Sequence, residues 1–343
     1  MIEEEGTARM AQRFRMLVVA LCAALAAVIA AGEPRSDAAP TPGAPVKLNW
    51  LIVAKSASYL NYFVAIQQGF FKQEGLDVQT TFTSTSELAT QALIGGSGDI
   101  SSITTDQVIV AIDKGADLQI VGGQTLFPPY TLVVQPGITS RDQLKGKTFG
   151  QSNTRTAEVV FLRALLAKHG LQQGKEYTVI APGSLPQRMA AIRAKAIDGS
   201  LLNEPYVTQL AKDGYVKLAR ADEVVKDYLF SSIVVRKQWA RDNRETLVHA
   251  LRALSRATDW VYDPANKQAA VTIMKDVAGT GDDGAAAAYE DYVVVGKAFP
   301  LKCALSRPGM LKVLEFMKDS GTPAAKANPF DYADTQYLDA ATK

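Results

Sequence analysis

Short, continuous apolar runs alternate with segments of helical period along most of this chain, and glycines or hydroxyl clusters mark the junctions. The run VKLNWLIVA (46–54) reads as a buried strand. Residues 58–75, with apolar Leu60, Phe63, Val64 and Ile66, read as a helix stopped by Gly75, and LDVQTTFT (76–83) is the next strand. Ser84, Thr85 and Ser86 offer cap chemistry to a helix over 87–96. Residues 98–115, GDISSITTDQVIVAIDKG, then give a strand, a small-polar corner and a helix closed by Gly115, and DLQIVGG (117–123) is a further strand. Strands separated by single short helices predict parallel β-α-β units.

The corner returns 99 residues later: Asp99 aligns with Asp198, Ser101 with Ser200 and Gly115 with Gly214, without a gap. One α/β lobe is therefore expected twice. Between the copies, QTLFPPY (124–130) breaks the rhythm, and its prolines predict an extended crossing between lobes. The second set follows: a strand at 131–137, a short helix at 141–144, a strand at 147–151, a helix over 156–169 capped by Gly170, a strand at 177–182, a helix over 186–196, the repeated corner and a strand at 215–219. YLFSSIVVR (228–236) reads as the second crossing. Beyond Asp242 only helices are expected, over 245–262, 264–277, 283–298 and 308–319. The expected fold class is α/β: two Rossmann-like lobes joined by two extended hinge segments, with a helical C-terminal tail. Residues 46–128 begin the first lobe, 129–230 form the second, and 231–343 return to the first. Ligands of such sheets bind at the carboxyl ends of the strands, here in the cleft between lobes.

The N-terminus changes the picture. Arg13 and Arg15 precede an apolar run over 16–31 that is short for a membrane span, and Gly-, Pro- and Ala-rich sequence follows. Residues 1–31 read as a signal peptide and 32–45 as a linker. Met10 makes a better start for such a segment than Met1. Cys22 lies inside the apolar run after Leu21, which argues against lipid attachment there. After cleavage Cys303 alone remains, so an exported protein of this kind relies on its core and not on an internal disulfide. A net charge of +2, with no basic cluster among aromatics, gives nucleic-acid binding little support.

The two histidines, His169 and His249, build no catalytic triad or metal constellation, and no glycine-rich phosphate loop follows a strand. Neither a cofactor nor a metal is expected. What recurs is small polar residues at strand ends: Lys55, Ser56 and Ser58, Thr85 and Ser86, and Thr104 and Thr105 in the first lobe; Ser152, Asn153, Thr154, Arg155 and Thr156, Ser184, and Asn203 and Glu204 in the second. Each can simply cap a helix, but their recurrence in both lobes favours a shared binding cleft. Arg155 stands where a helix begins, working against the dipole, which makes it a candidate counter-charge. Tyr59, Tyr62, Phe127, Tyr130, Tyr206 and Phe230 belong to the cleft or the core, Gln124 opens the first crossing as a further candidate contact, and Glu204 can recognise an amine or hold its own corner.

The order of these motifs resembles the periplasmic solute-binding proteins of ABC importers in the nitrate, sulfonate, taurine and thiamin-precursor group. The likeness rests on AIQQGFFKQEGLDV (65–78), ALIGGSGDIS (92–101), DQLKGKTFGQSNTRTAEVVFLRALLAKHGL (142–171) and NEPYV (203–207). It implies a type II binding-protein fold in the periplasm, acting as a monomer that closes on a small-molecule ligand and delivers it to a permease and its ATPase. The implied contact regions are Ser56 and Tyr62, Thr85 and Ser86, Thr104 and Thr105, residues 152–156, and Glu204. The expected ligand is a small organic anion, sulfonate- or carboxylate-like. The alternatives are a pyrimidine, thiamin precursor or other amine-bearing ligand, and an exported sensor subunit. Enzymes on this fold, the pyrimidine synthases, use a cysteine-rich segment that this chain lacks, so binding and not turnover is expected.

Overall fold

In the computed structural model, which describes residues 44–127, 130–153, 157–225 and 227–343, the alternation resolves into two sheets. The first half runs β1 (Val46–Ile52), α1 (Leu60–Gln67), α2 (Phe70–Gln73), β2 (Leu76–Phe82), α3 (Ser86–Ile94), β3 (Ile100–Thr104), α4 (Thr105–Asp113) and β4 (Leu118–Thr125). The second runs β5 (Thr131–Val134), β6 (Lys147–Gly150), α5 (Ala157–Ala167), β7 (Tyr177–Ile180), α6 (Leu185–Arg193), β8 (Gly199–Leu202), α7 (Tyr206–Lys212) and β9 (Val216–Arg220). The chain returns through β10 (Ser231–Arg236) and continues as α8 (Lys237–Asp242), α9 (Arg244–Tyr262), α10 (Lys267–Ala278), α11 (Asp282–Tyr289), α12 (Arg307–Asp319) and α13 (Gln336–Ala341). The expected signal segment, nearly all of the linker and the two prolines of the first crossing lie outside the described residues.

The sheets have equivalent strand orders, β2-β1-β3-β10-β4 and β7-β6-β8-β5-β9. Neither is purely parallel, which corrects the expectation from strand-helix alternation. β10 runs antiparallel to both β3 and β4, and β5 runs antiparallel to both β8 and β9. In each sheet the inserted strand is the one the chain forms on arriving from the other lobe. Residues 228–236 are accordingly only half a crossing. Ser231–Arg236 is an interior strand, and its Ile233, Val234 and Val235 are buried on both faces as a two-neighbour strand demands. The helix expected over 283–298 likewise ends at Tyr289 and continues as a π-helical turn, Glu290–Val295.

The internal repeat extends to individual hydrogen bonds. The Asn49 N–H donates to Asp99 Oδ2 (2.8 Å), and the Thr148 N–H donates to Asp198 Oδ2 (2.8 Å). The Ser101 hydroxyl donates to the Leu51 carbonyl (3.2 Å), and Ser200 donates to that of Gly150 (2.6 Å). Left-handed backbone recurs at Gly75 and Gly174, Ser84 and Gly183, Gly96 and Lys195, and Gly115 and Gly214. Packing is conserved by exchange. A Cβ on Gly98 would lie 2.4 Å from Leu51, whereas at the equivalent pair the small residue is Gly150, where a Cβ would lie 2.5 Å from Ile197.

Two side-by-side connections join the lobes. The Phe230 N–H donates to the Thr125 carbonyl (2.8 Å), and the Ala221 N–H donates to the Tyr130 carbonyl (2.9 Å). Tyr130 and Phe230 pack edge to face (5.4 Å), while Phe161 of α5 contacts Tyr228 (5.0 Å) and Phe316 of α12 (5.5 Å). α12 thus packs against both α4 and α5, one helix from each half. Away from these aromatics the halves meet through ion pairs, Lys212 with Asp283 (2.9 Å) and Arg220 with Asp291 (2.5 Å).

The exchange at the strand pair predicts a coupled stability effect. Gly98→Ile alone overpacks the first lobe and should lower stability by about 1–3 kcal/mol. Adding Leu51→Gly reproduces the second lobe's arrangement, so a urea-unfolding cycle should show the double variant more stable than the sum of its singles, with coupling on the order of 1 kcal/mol or more. Additive losses would show that the two sites are not equivalent.

Candidate functional site

The strands of both sheets end at a cleft of about 370 Å³. Its walls obey the repeat. Val53, Tyr59, Thr85, Ser86, Glu87, Thr104 and Gln107 line it from the first lobe, and the residues 99 positions on, Ser152, Glu158, Ser184, Leu185, Pro186, Asn203 and Tyr206, line it from the second. Each wall is built the same way: the loop after the first strand, the start of the helix after the second, and the corner after the third. Thr85 caps α3, its hydroxyl accepting from the Leu88 N–H (3.3 Å), and Ser184 caps α6 in a capping box with Gln187. Both nine-residue helices therefore begin at the cleft, where first-turn N–H groups lack intrahelical acceptors.

At the repeated corners the first residue of each pair faces the cleft and the second turns inward. Thr104 and Asn203 line it. Thr105 is buried against Ser232, hydroxyl to hydroxyl at 2.7 Å. Glu204, just ahead of α7, accepts from the Thr208 N–H and hydroxyl (3.0 Å each) and lies 3.8 Å from Lys217 Nζ, and burial pushes its carboxyl above the ordinary range.

Of the remaining candidates, Lys55, Tyr59, Thr85, Ser86 and Ser152 line the cleft. Ser56 is buried beneath it. Tyr62 lies in the first-lobe core beside Trp50 (5.2 Å), its hydroxyl paired with Thr80 (2.8 Å). Gln124 is fully buried and donates to Asn61 Oδ1 (2.7 Å). Asn153 borders an adjoining cavity of about 220 Å³ and reaches Glu87 Oε1 of the other lobe (3.4 Å). Thr154, Arg155 and Thr156 lie outside the described residues.

A buried ion pair in the second-lobe wall was not singled out from the sequence. Arg188 Nη1 meets Glu158 Oε2 at 3.3 Å, with the arginine side chain 3% exposed. Glu158 also accepts from the Tyr130 hydroxyl (2.6 Å) and the Ser152 hydroxyl (2.8 Å). Burial and the neighbouring carboxylate hold the Tyr130 hydroxyl protonated, well above its usual range. Both charges sit in apolar helical text, where periodicity assigns them to a solvated face. The signal that finds Glu158 is the repeat itself, which places it opposite the cleft residue Tyr59. Ser58, Asp106, Tyr130, Arg188 and Phe230 are also among the lining residues. Among the described residues no group of three His, Cys, Asp or Glu side chains is arranged to hold a metal ion, and no helix is long and apolar enough to cross a membrane.

Two α/β lobes around a cleft, joined by two connections and closed by C-terminal helices, constitute the periplasmic binding-protein fold. The alkanesulfonate-binding protein SsuA of Xanthomonas axonopodis pv. citri, bound to MOPS, shares it with a TM-score of 0.70 at 17% identity, over 85% of this chain and 99% of its own. The ligand-binding component of an ABC-type import system from Staphylococcus aureus, solved with zinc bound, does so with a TM-score of 0.74 at 15% identity, over 87% and 99%. At such identities the likeness is one of fold. In sequence, YtlA of Bacillus subtilis, described as a candidate binding protein, is 25% identical over 246 residues, 70% of this chain and 73% of its own. The model of the NMT1-like family matches residues 40–275, and the chain belongs to that family.

Two predictions follow from the corner geometry. Thr105→Val leaves Ser232 without its partner and should lower unfolding free energy by about 1–3 kcal/mol, whereas Thr104→Val should change it by less than about 0.5 kcal/mol; equal losses in urea titrations would contradict the orientation. Glu204, with its folded pKa raised, makes wild type lose stability as pH rises from the ordinary carboxylate range through the raised value. The stability of Glu204→Gln relative to wild type should accordingly increase with pH across that window, and a relative decrease would show that the carboxylate is stabilised by its site.

Proposed function

We propose that this protein is the ligand-capturing component of an ABC-type importer, exported to the periplasm, where it encloses a small organic anion of sulfonate or carboxylate type between its lobes and hands it to a membrane permease and its ATPase. The observation that carries this reading is the two-walled cleft. Matched positions of both repeats face one space, so a ligand held there touches both lobes and favours their closure about the two connections. Hydroxyls of Thr85, Ser86 and Thr104, with two helix starts, suit an oxyanion of low formal charge. Family membership and the import-system and sulfonate-binding neighbours support the transport reading.

A second reading, an amine-bearing ligand such as a pyrimidine, is favoured by the acidic side chains of Glu87 and Asp106 in the cleft wall. In a thermal-shift panel of methanesulfonate, taurine, benzoate, nitrate and pyrimidines, a cognate anion at about 100 times its Kd should raise Tm by roughly 5 °C and be recovered intact. Stabilisation by pyrimidines or amines alone would replace the anion reading with the second. Turnover of a panel compound would replace binding with catalysis.

A further inference from the structure

At one place the repeat sets a neutral pair of the first lobe against a charged pair of the second. In the first lobe, the Tyr59 hydroxyl donates to the Ser102 carbonyl (3.4 Å), and α3 carries a buried Ala89. The equivalent carbonyl in the second lobe, that of Leu201, accepts instead from Arg188 Nη1 (2.8 Å). Arg188 stands at the position of Ala89, and Glu158 at that of Tyr59. A neutral tyrosine–alanine pair thus supports the strand end in one lobe, and a glutamate–arginine pair supports it in the other. Because Tyr59 and Ala89 suffice for the carbonyl, strand support alone does not require the charges.

The charged pair is also incompletely bonded. Arg188 lines the cleft and is 2% exposed, and its Nη1 is shared among the Leu201 carbonyl, Gln151 Oε1 and Glu158. Its Nε has no acceptor, and neither does the adjacent Gln151 Nε2. The amide orientation of Gln151 is set by Arg188, since a flipped amide would turn donor against donor. Glu158, in contrast, collects donors from Tyr130, Ser152 and Arg188. Arg188, which lines the cleft, therefore has donor capacity that its partners within the protein leave unused. A buried donor left unsatisfied is unfavourable, and a guanidinium N–H is among the stronger donors available to an oxyanion.

We infer that Arg188 seats the acceptor end of the ligand: the geometry points to a monoanionic oxygen group, carboxylate or sulfonate, received by the Arg188 guanidinium where it lines the cleft, with Glu158 holding the guanidinium in place as a positioning residue. Glu158 offsets the Arg188 charge, and the lining also carries Lys55, Glu87 and Asp106, so a dianion is disfavoured. This assignment rests on the anion-capture reading above.

The test transplants the first lobe's own solution. Glu158→Tyr/Arg188→Ala reproduces the Tyr59–Ala89 pair, and Glu158→Gln/Arg188→Met keeps side-chain size should the first variant not fold. Calorimetric titration with benzoate and its neutral isostere benzamide, and with methanesulfonate, reads the seat. Wild type should prefer benzoate to benzamide, and the folded double variants should bind benzoate and methanesulfonate roughly 10- to 100-fold more weakly with that preference lost. A folded double variant that keeps wild-type affinity and preference overturns the seat while leaving anion capture standing. Wild type that binds none of these anions overturns the anion reading and the seat together.

Discussion

The carboxylate at the head of the third strand of each lobe fixes where the cleft-facing corner falls. Asp99 and Asp198 each accept the backbone N–H of the first strand at 2.8 Å, locking β3 beside β1 and β8 beside β6 in the same register. Side chains alternate faces along a strand, so a slip of one residue would turn Thr104 and Asn203 inward and present Thr105 and Glu204 in their place. With register held, both strands run out at the cleft, and the helices after them begin there. The hydroxyl caps, the open N–H groups and the matched wall positions are consequences of that registration applied twice.

A duplicated template also defines where the lobes are free to differ. Leu51 with Gly98 and Gly150 with Ile197 fill the same gap from opposite sides, so volume is conserved though neither residue is. Tyr59 with Ala89 and Glu158 with Arg188 both satisfy one strand-end carbonyl, but only the second pair brings charge to the cleft. The scaffold requires that the carbonyl be bonded and leaves open by what. Ligand choice can reside in that freedom without disturbing the sheets. The aromatic contacts of Tyr130, Phe161, Tyr228, Phe230 and Phe316 keep the lobes connected where the chain crosses between them.

Much of this was legible in the sequence, because alternation of apolar runs with helical segments and the gapless return of Asp99, Ser101 and Gly115 are local signals. The antiparallel insertion of β5 and β10 was not, since strand direction is decided by which lobe the chain arrives from and not by residues within the strand. Inward rotation of Thr105 and Glu204 follows from partners distant in sequence or one helical turn away, Ser232 and Thr208, that no run of hydroxyls reveals. Glu158 and Arg188 were hidden because each charge alone looks like a solvated helix position, and only their pairing within the wall makes burial tolerable. The contacts implied by the family resemblance at Ser56 and Tyr62 fall on buried side chains whose neighbours in sequence, Lys55 and Tyr59 among them, reach the cleft instead.

Capture by both copies of the lobe, as proposed, would place one ligand between their equivalent positions. A crystal structure of the protein with the anion that stabilises it most tests this directly. Ligand density in contact with both Thr104 and Asn203 is the predicted result, and density confined to one lobe, or lying outside the cleft, would contradict the account.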